Sequence, residues 1–371
     1  MKSTRFWALL AVLGLLVAAC GSGSSEDSSD ASPEETQADE KETEEDIEED
    51  EGNDEAAADS PYGVDFDPAL KADEPYKIGV SLQQQKANFW VSVKSGSTDA
   101  ATRADASDPV FNDANGEDDK QLNDVKNMIV GEIDGLVLGA TNSASAVSIV
   151  EETAAEDIPV VAVALQVGDP EEVGGQYVHP DTIALVTNDD KDMGKKAASF
   201  VEQVAEEKGE TLNIVILQGT PGTANATLRD EGFKEELESL GIDYEISNEQ
   251  TGKFKREDAK VACDNMLASD DSIDLIYSHS DEMTIGCVTA MENADRTDIP
   301  VASIGGNEEG IELVSEGKVL GTVCQKPATM GAVATQILIR HLNGEEIKAE
   351  PFFYETPTIT KDNLDDCAAE W

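Results

Sequence analysis

The chain has 371 residues, with 78 acidic side chains against 26 basic ones and a formal net charge of −52. A surface this acidic excludes a nucleic-acid partner, because phosphate binding needs a basic face. His179, His279 and His341 lie far apart, and no cysteine–histidine spacing suggests a zinc site.

At the start, Lys2 and Arg5 precede the uncharged run FWALLAVLGLLVAA, which ends in Ala18 and Ala19 before Cys20. A basic start, a short apolar segment and small residues form the layout of a secretory signal. The run is shorter than the roughly 20 apolar residues of a membrane-spanning helix. Small residues directly before a cysteine resemble a bacterial lipobox. That resemblance implies a lipoprotein signal peptide over 1–19, acylation of Cys20, and a mature protein anchored on the extracellular face of the cytoplasmic membrane. An ordinary cleaved signal with an accidental cysteine is the alternative.

Residues 21–60 carry one basic residue, Lys41, and one large aliphatic, Ile47. Dense like charge with so little apolar surface predicts disorder, extended by self-repulsion into a spacer. Anchor and linker together are expected over 20–75. Eighteen of the acids lie in 21–60 and three of the basic residues at or before Lys41, leaving 60 acids against 23 bases, a net charge near −37. Such a charge repels itself in a compact state unless salt screens it, the screening length falling from about 10 Å at 0.1 M to about 3 Å at 1 M. The composition suits a saline habitat or, equally, an acid-rich lineage.

From Tyr76 the texture changes. YKIGVSL reads as a strand, NFWVSVKSGSTDAATRADA as a helix, PVFNDA as a strand, KQLNDVKNMIVG as a helix, IDGLVLGAT as a strand, ASAVSIVEETAAED as a helix and IPVVAVA as a strand. The alternation resumes with the strand IALVTND, one helix over 191–208, the strand LNIVILQ, a helix over 226–240 and the strand YEISNEQ. A helix over 259–268, the strand IDLIYS, a helix through MTIGCVTAMENA, the strand IPVASIGG, a short helix and the strand GTVC follow. Short apolar strands alternating with amphipathic helices predict an α/β fold of βαβ units with parallel sheets. The length points to two lobes, whose ligands bind past the carboxyl ends of the strands.

The segments NFWVSVKSG, DGLVLGATNSASA, TNDDKDMGKKAA, LQGTPGTANATLRDEGF, LIYSHSDEMTIG, VASIGGNEEG and GTVCQKPATMG, in this order over residues 77–345, resemble the periplasmic sugar-binding proteins of the ribose-binding type. The resemblance implies two α/β lobes joined by a three-stranded hinge, here 76–187 with 325–355 and 188–324 with 356–371. It also implies capture of a small neutral ligand, a sugar or polyol, by a monomer that serves the permease of an ABC importer.

Position by position, Phe89 and Trp90 match two aromatics that sandwich the sugar ring; the alternative is that both are core residues of the first helix. Trp90 is expected in the cleft rather than the core. Phe254 matches a third aromatic, and Arg229 an arginine whose planar fork holds hydroxyl oxygens, unless it is a surface residue paired with Asp230 or Glu236. Ser280 stands where the family has an asparagine, Asn307 where it has an aspartate, and Gln325 matches directly. Asp281 follows a strand and is read either as a ligand contact or as a helix N-cap.

The departures bear on the ligand. Ala164 and Leu165 replace the Asp-Arg pair that clamps ring hydroxyls, Gly139 replaces an asparagine, and the first loop is longer. A more apolar wall suggests fewer hydroxyls than a hexose carries. Cys263, Cys287, Cys324 and Cys367 outside a membrane imply two disulfides. Three pairings are open, and the inferred topology favours Cys263–Cys287 with Cys324–Cys367. Ser278, His279 and Asp281 are too close along the chain for a catalytic triad, and GTPGTAN lacks the lysine of a phosphate loop. No catalytic constellation, cofactor motif or metal site is expected, although a ligand-presenting sensor or an enzyme on a related two-lobed fold remain alternatives.

Overall fold

The computed structural model describes residues 66–169 and 176–371; the signal segment, Cys20 and most of the acidic linker lie outside the described residues. Every element below belongs to the unit Asp50–Trp371.

The first sheet holds β1 (Ile78–Leu82), β2 (Val110–Asp113), β3 (Gly135–Gly139), β4 (Val160–Val163), β5 (Ala184–Thr187) and β11 (Pro351–Phe353). Its order is β11-β5-β4-β3-β1-β2, with every pair parallel. β1, β3, β4 and β5 are buried along their whole length, which explains why they read as continuous apolar runs: helices cover both faces. The strand period of two divides the side chains. Val80, Val137 and Val161 meet α1 (Asn88–Arg103) and α10 (Pro327–Leu342), while Leu136, Leu138 and Val160 meet α2 (Asp118–Val130) and α3 (Val147–Ala154).

The second sheet holds β6 (Leu212–Gln218), β7 (Tyr244–Thr251), β8 (Leu275–Ser278), β9 (Val301–Gly305), β10 (Gly321–Cys324) and β12 (Thr358–Thr360). Its order is β12-β10-β9-β8-β6-β7, parallel except where β12 pairs antiparallel with β10. α4 (Asp190–Ser199) and α6 (Ala224–Ser239) cover one face, and α7 (Arg256–Ser269) and α8 (Asp281–Ala294) the other. α9 (Glu308–Glu316) follows β9. The chain passes between the sheets three times: after β5, after β10, and between β11 and β12.

Where one helix is expected over 191–208, two form: α4 and α5 (Glu202–Lys208), parted at Phe200 and Val201. The break buries Val201 fully and lays the Phe200 ring against Gly321 of β10. Disulfides join Cys263 of α7 to Cys287 of α8 and Cys324 of β10 to Cys367, with Cα–Cα distances of 5.2 and 6.3 Å. Both separations lie in the range an S–S bridge needs. No helix among the described residues is long and apolar enough to cross a membrane.

Candidate functional site

A cavity with about 710 Å³ of free space, its open mouth included, lies past the carboxyl ends of strands from both sheets. Phe89 and Trp90 at the start of α1, with Ala164 and Leu165 after β4, form an apolar wall. Phe89 and Trp90 meet edge to face, ring centroids 5.2 Å apart. Trp90 is only 6 % exposed and belongs to the core of the first sheet as well as to the cavity. Cleft and core are therefore not alternatives for this residue. Its ring sits where Gly139 has no side chain, since a Cβ there would lie 2.5 Å from the indole. Any side chain at 139 would therefore collide with the Trp90 ring, so glycine there leaves the space the indole fills. Ala164 holds a left-handed φ of 65°, a conformation that strains any residue with a Cβ. Its N–H donates to the Val186 carbonyl at 2.9 Å, and its own carbonyl accepts from Thr187 Oγ1 at 2.9 Å.

The opposite wall is polar. Thr220, Thr223 and Asn225 after β6, Ser280 after β8 and Gln325 after β10 line it, with Phe254 the aromatic among them. Phe254 also has a left-handed φ, 54°, and its ring rests over Gly219, where a Cβ would collide with it. Arg229 lines the cavity but is 3 % exposed and already engaged. Its Nε donates to Asp190 Oδ1 at 2.9 Å and its Nη1 to the His279 carbonyl at 2.7 Å, while Nη2 lies 2.9 Å from Asp190 Oδ1. Its partner is therefore Asp190, across from α6 on α4, rather than Asp230 or Glu236. Burial pushes the Asp190 carboxyl up, against the pull of the Arg229 guanidinium. Behind this pair, His279 Nδ1 accepts from Gly219 N at 3.3 Å, so Nε2 carries the proton towards Asp230 Oδ1 at 2.9 Å. Burial lowers the His279 pKa and keeps the ring neutral.

Six of the expected contacts, Phe89, Trp90, Arg229, Phe254, Ser280 and Gln325, face this one cavity. Asp281 and Asn307 correct the expectation: neither lines it. Asp281 is fully buried, accepting from Ser303 Oγ at 2.5 Å, Thr322 Oγ1 at 2.8 Å, Gly306 N at 2.6 Å and Asn307 N at 3.2 Å. Those donors occupy the carboxylate and tie the start of α8 to β9 and β10. It is not the N-cap of α8 either; that is Ser280, whose Oγ accepts from Met283 N at 3.3 Å. Asn307 caps α9, its Oδ1 accepting from Gly310 N at 2.6 Å.

Several lining residues were not singled out from the sequence. Gln83 and Gln84 come from the lengthened first loop, and Gln83 Oε1 accepts from Trp90 Nε1 at 3.0 Å. Asn188 and Asn225 each carry a buried Oδ1 without a hydrogen-bond partner. Both follow strands, β5 and β6, the position at which ligand contacts are expected. Trp371 also lines the cavity, and nothing local in the sequence marks it. Among the described residues Arg229 and Glu282 are the charged members of the lining, and each is paired, Glu282 with Arg256 at 3.2 Å. Among the described residues no cluster of three or more histidine, cysteine, aspartate or glutamate side chains is placed to hold a metal.

The sequence profile of the periplasmic binding protein domain matches residues 78–346. The xylitol-binding protein of Mycolicibacterium smegmatis is 28 % identical over 290 residues, 78 % of this chain and 78 % of that protein. The ribose import binding protein of Bacillus subtilis is 26 % identical over 273 residues, 74 % of this chain and 84 % of that protein. Among solved structures, an ABC transporter solute binding protein from Bacillus halodurans with bound myo-inositol superposes with a TM-score of 0.70 at 24 % identity, covering 79 % of this chain and 96 % of that one.

Proposed function

Because the chain belongs to the periplasmic binding protein domain family, matched over residues 78–346, we propose that it captures a small neutral polyhydroxylated ligand for an ABC importer. One observation carries this reading. An aromatic wall faces a rim of amides and hydroxyls, and the charged lining residues Arg229 and Glu282 are each ion-paired within the protein, Glu282 to an Arg256 that Glu309 shares. Apolar C–H faces of a sugar or polyol suit the rings, while its hydroxyls, donor and acceptor at once, suit the amides of Asn188, Asn225 and Gln325. Among the described lining residues an anionic ligand would meet no unpaired cation. With Ala164 and Leu165 in place of a hydroxyl clamp, the wall favours a ligand with fewer hydroxyls than a hexose. The names of the relatives, xylitol and ribose binders, support the same chemistry. The protein works outside the cytoplasmic membrane, held there by a lipid on Cys20, and it releases its ligand unchanged.

The test is a thermal-shift screen of xylitol, D-ribose, myo-inositol, glycerol, nucleosides and amino acids in low and high salt, followed by mass spectrometry of the bound compound. A ligand that binds only the native state raises the melting temperature with concentration. Stabilisation by a sugar or polyol recovered intact supports the reading. Stabilisation by amino acids alone, or recovery of an altered compound, overturns it.

A further inference from the structure

We propose that Trp371 is a ligand-contacting wall of the cavity, carried across the cleft by residues 367–371 acting as a strap. The inference rests on the sugar or polyol reading and adds an aromatic that belongs to neither sheet. The strap begins at Cys367, bonded to Cys324 at the end of β10, on the second sheet. Glu370 grips the other side. Its carboxylate accepts from Thr329 N at 3.0 Å and Thr329 Oγ1 at 2.6 Å, and its main-chain oxygen accepts from Ser92 Oγ at 2.7 Å. Thr329 lies on α10 and Ser92 on α1, both packed on the first sheet. Trp371 then returns to the second sheet, where its main-chain oxygen accepts from Glu308 N of α9 at 3.1 Å. Separating the two sheets must break one of these attachments, so the strap couples cleft opening to removal of the indole.

Two features point to a ligand. First, the Trp371 ring meets Phe89 at 87°, centroids 5.5 Å apart, so that Phe89 stands between two indoles and the three rings form an aromatic corner. Second, Trp371 Nε1 is shut off from solvent and has no hydrogen-bond partner, whereas Trp90 Nε1 is already committed to Gln83. Buried donors are nearly always paired. An indole N–H only donates, so the complement is an oxygen lone pair, the ring ether or hydroxyl of a ligand seated in the corner. Trp371 thereby selects compact ligands that place an apolar face on Phe89 and an oxygen beside the indole.

Xylitol, D-ribose and myo-inositol are titrated calorimetrically into the full chain and into W371A and W371F. The expected result is a loss of about 10-fold or more in affinity for W371A, as for an aromatic anchor, and a smaller loss for W371F, which keeps a ring without the N–H. The unliganded melting temperature stays within a few degrees. Unchanged affinity in W371A overturns the proposal. A second arm needs neither ligand nor a tolerant fold at 371: with W7F and W90F, Trp371 is the remaining tryptophan of the three in the chain. Its emission should be blue-shifted and poorly quenched by acrylamide, becoming accessible when Cys324–Cys367 is reduced. Emission of an exposed indole in the oxidised protein overturns the strap. If none of the three compounds binds the native chain, the sugar reading fails, and the fluorescence alone decides whether Trp371 occupies the cavity.

Discussion

The two sides of the cavity are built on opposite principles. On the first sheet the wall is the outer edge of the hydrophobic core: Trp90 faces the cavity and also packs with Val93, Val80 and Met330. On the second sheet the wall is the outer edge of a buried polar network, Asp190–Arg229–His279–Asp230, of which Arg229 alone reaches the cavity. On the proposed reading the first side offers surface area to the ligand and should tolerate changes that keep volume. The second offers groups already partnered within the protein, so that removing one member strands another.

Arg229→Ala should break this contrast most severely. It leaves Asp190, 1 % exposed, without its cation, and removing one partner of a buried pair costs about 3–5 kcal/mol. Urea unfolding at neutral pH measures it; a loss below about 1 kcal/mol would show the pair to be idle. Next is Phe89→Ala on the apolar side. Phe89 is half-buried and faces the cavity, so the change should cost about 2 kcal/mol of ligand affinity with little loss of stability. Trp90→Ala, by comparison, should lower both. If Phe89→Ala destabilises the fold as much as Trp90→Ala does, the two aromatics do not divide the work as described.

The smallest effect is a pH dependence confined to the polar side. His279 has a lowered pKa in the folded protein because it is buried, with the Asp230 hydrogen bond opposing. Above the ordinary histidine value of about 6.5 the ring is neutral in both states and its contribution is complete. As pH falls below that value, the unfolded chain takes a proton that the folded chain refuses. Stability should then decline by up to about 1.4 kcal/mol per pH unit until the folded-state value is passed. The stability difference between the native chain and His279→Asn, measured from pH 7 to pH 5, isolates this contribution. A constant difference would mean that His279 is not held neutral.

Much of the architecture was legible in the chain. Apolar runs such as GLVLG and VVAV are buried from end to end in β3 and β4, and amphipathic spacing located the helices that cover them. The break at Phe200 and Val201 was not legible, because the Phe200 ring answers to Gly321, 121 positions away in sequence. Residues past strand ends line the cavity, yet position alone could not separate Ser280, which faces it, from Asp281, whose carboxylate turns inward to Ser303 and Thr322. Adjacent residues at a helix start point in different directions, and only the neighbouring strands decide which direction is empty.

By itself, then, the sequence determined the alternation of strands and helices, the acidity, and the kinds of side chain available past each strand, because periodicity and composition are local properties. The tertiary structure decided which of those side chains share one space. It showed that Gly139 leaves room for Trp90, and that Arg229 answers to Asp190. It also brought Trp371 beside Phe89, 282 positions earlier. Each of these is a contact between segments distant in sequence. No local pattern encodes such a contact, because its energy depends on where the rest of the chain has gone.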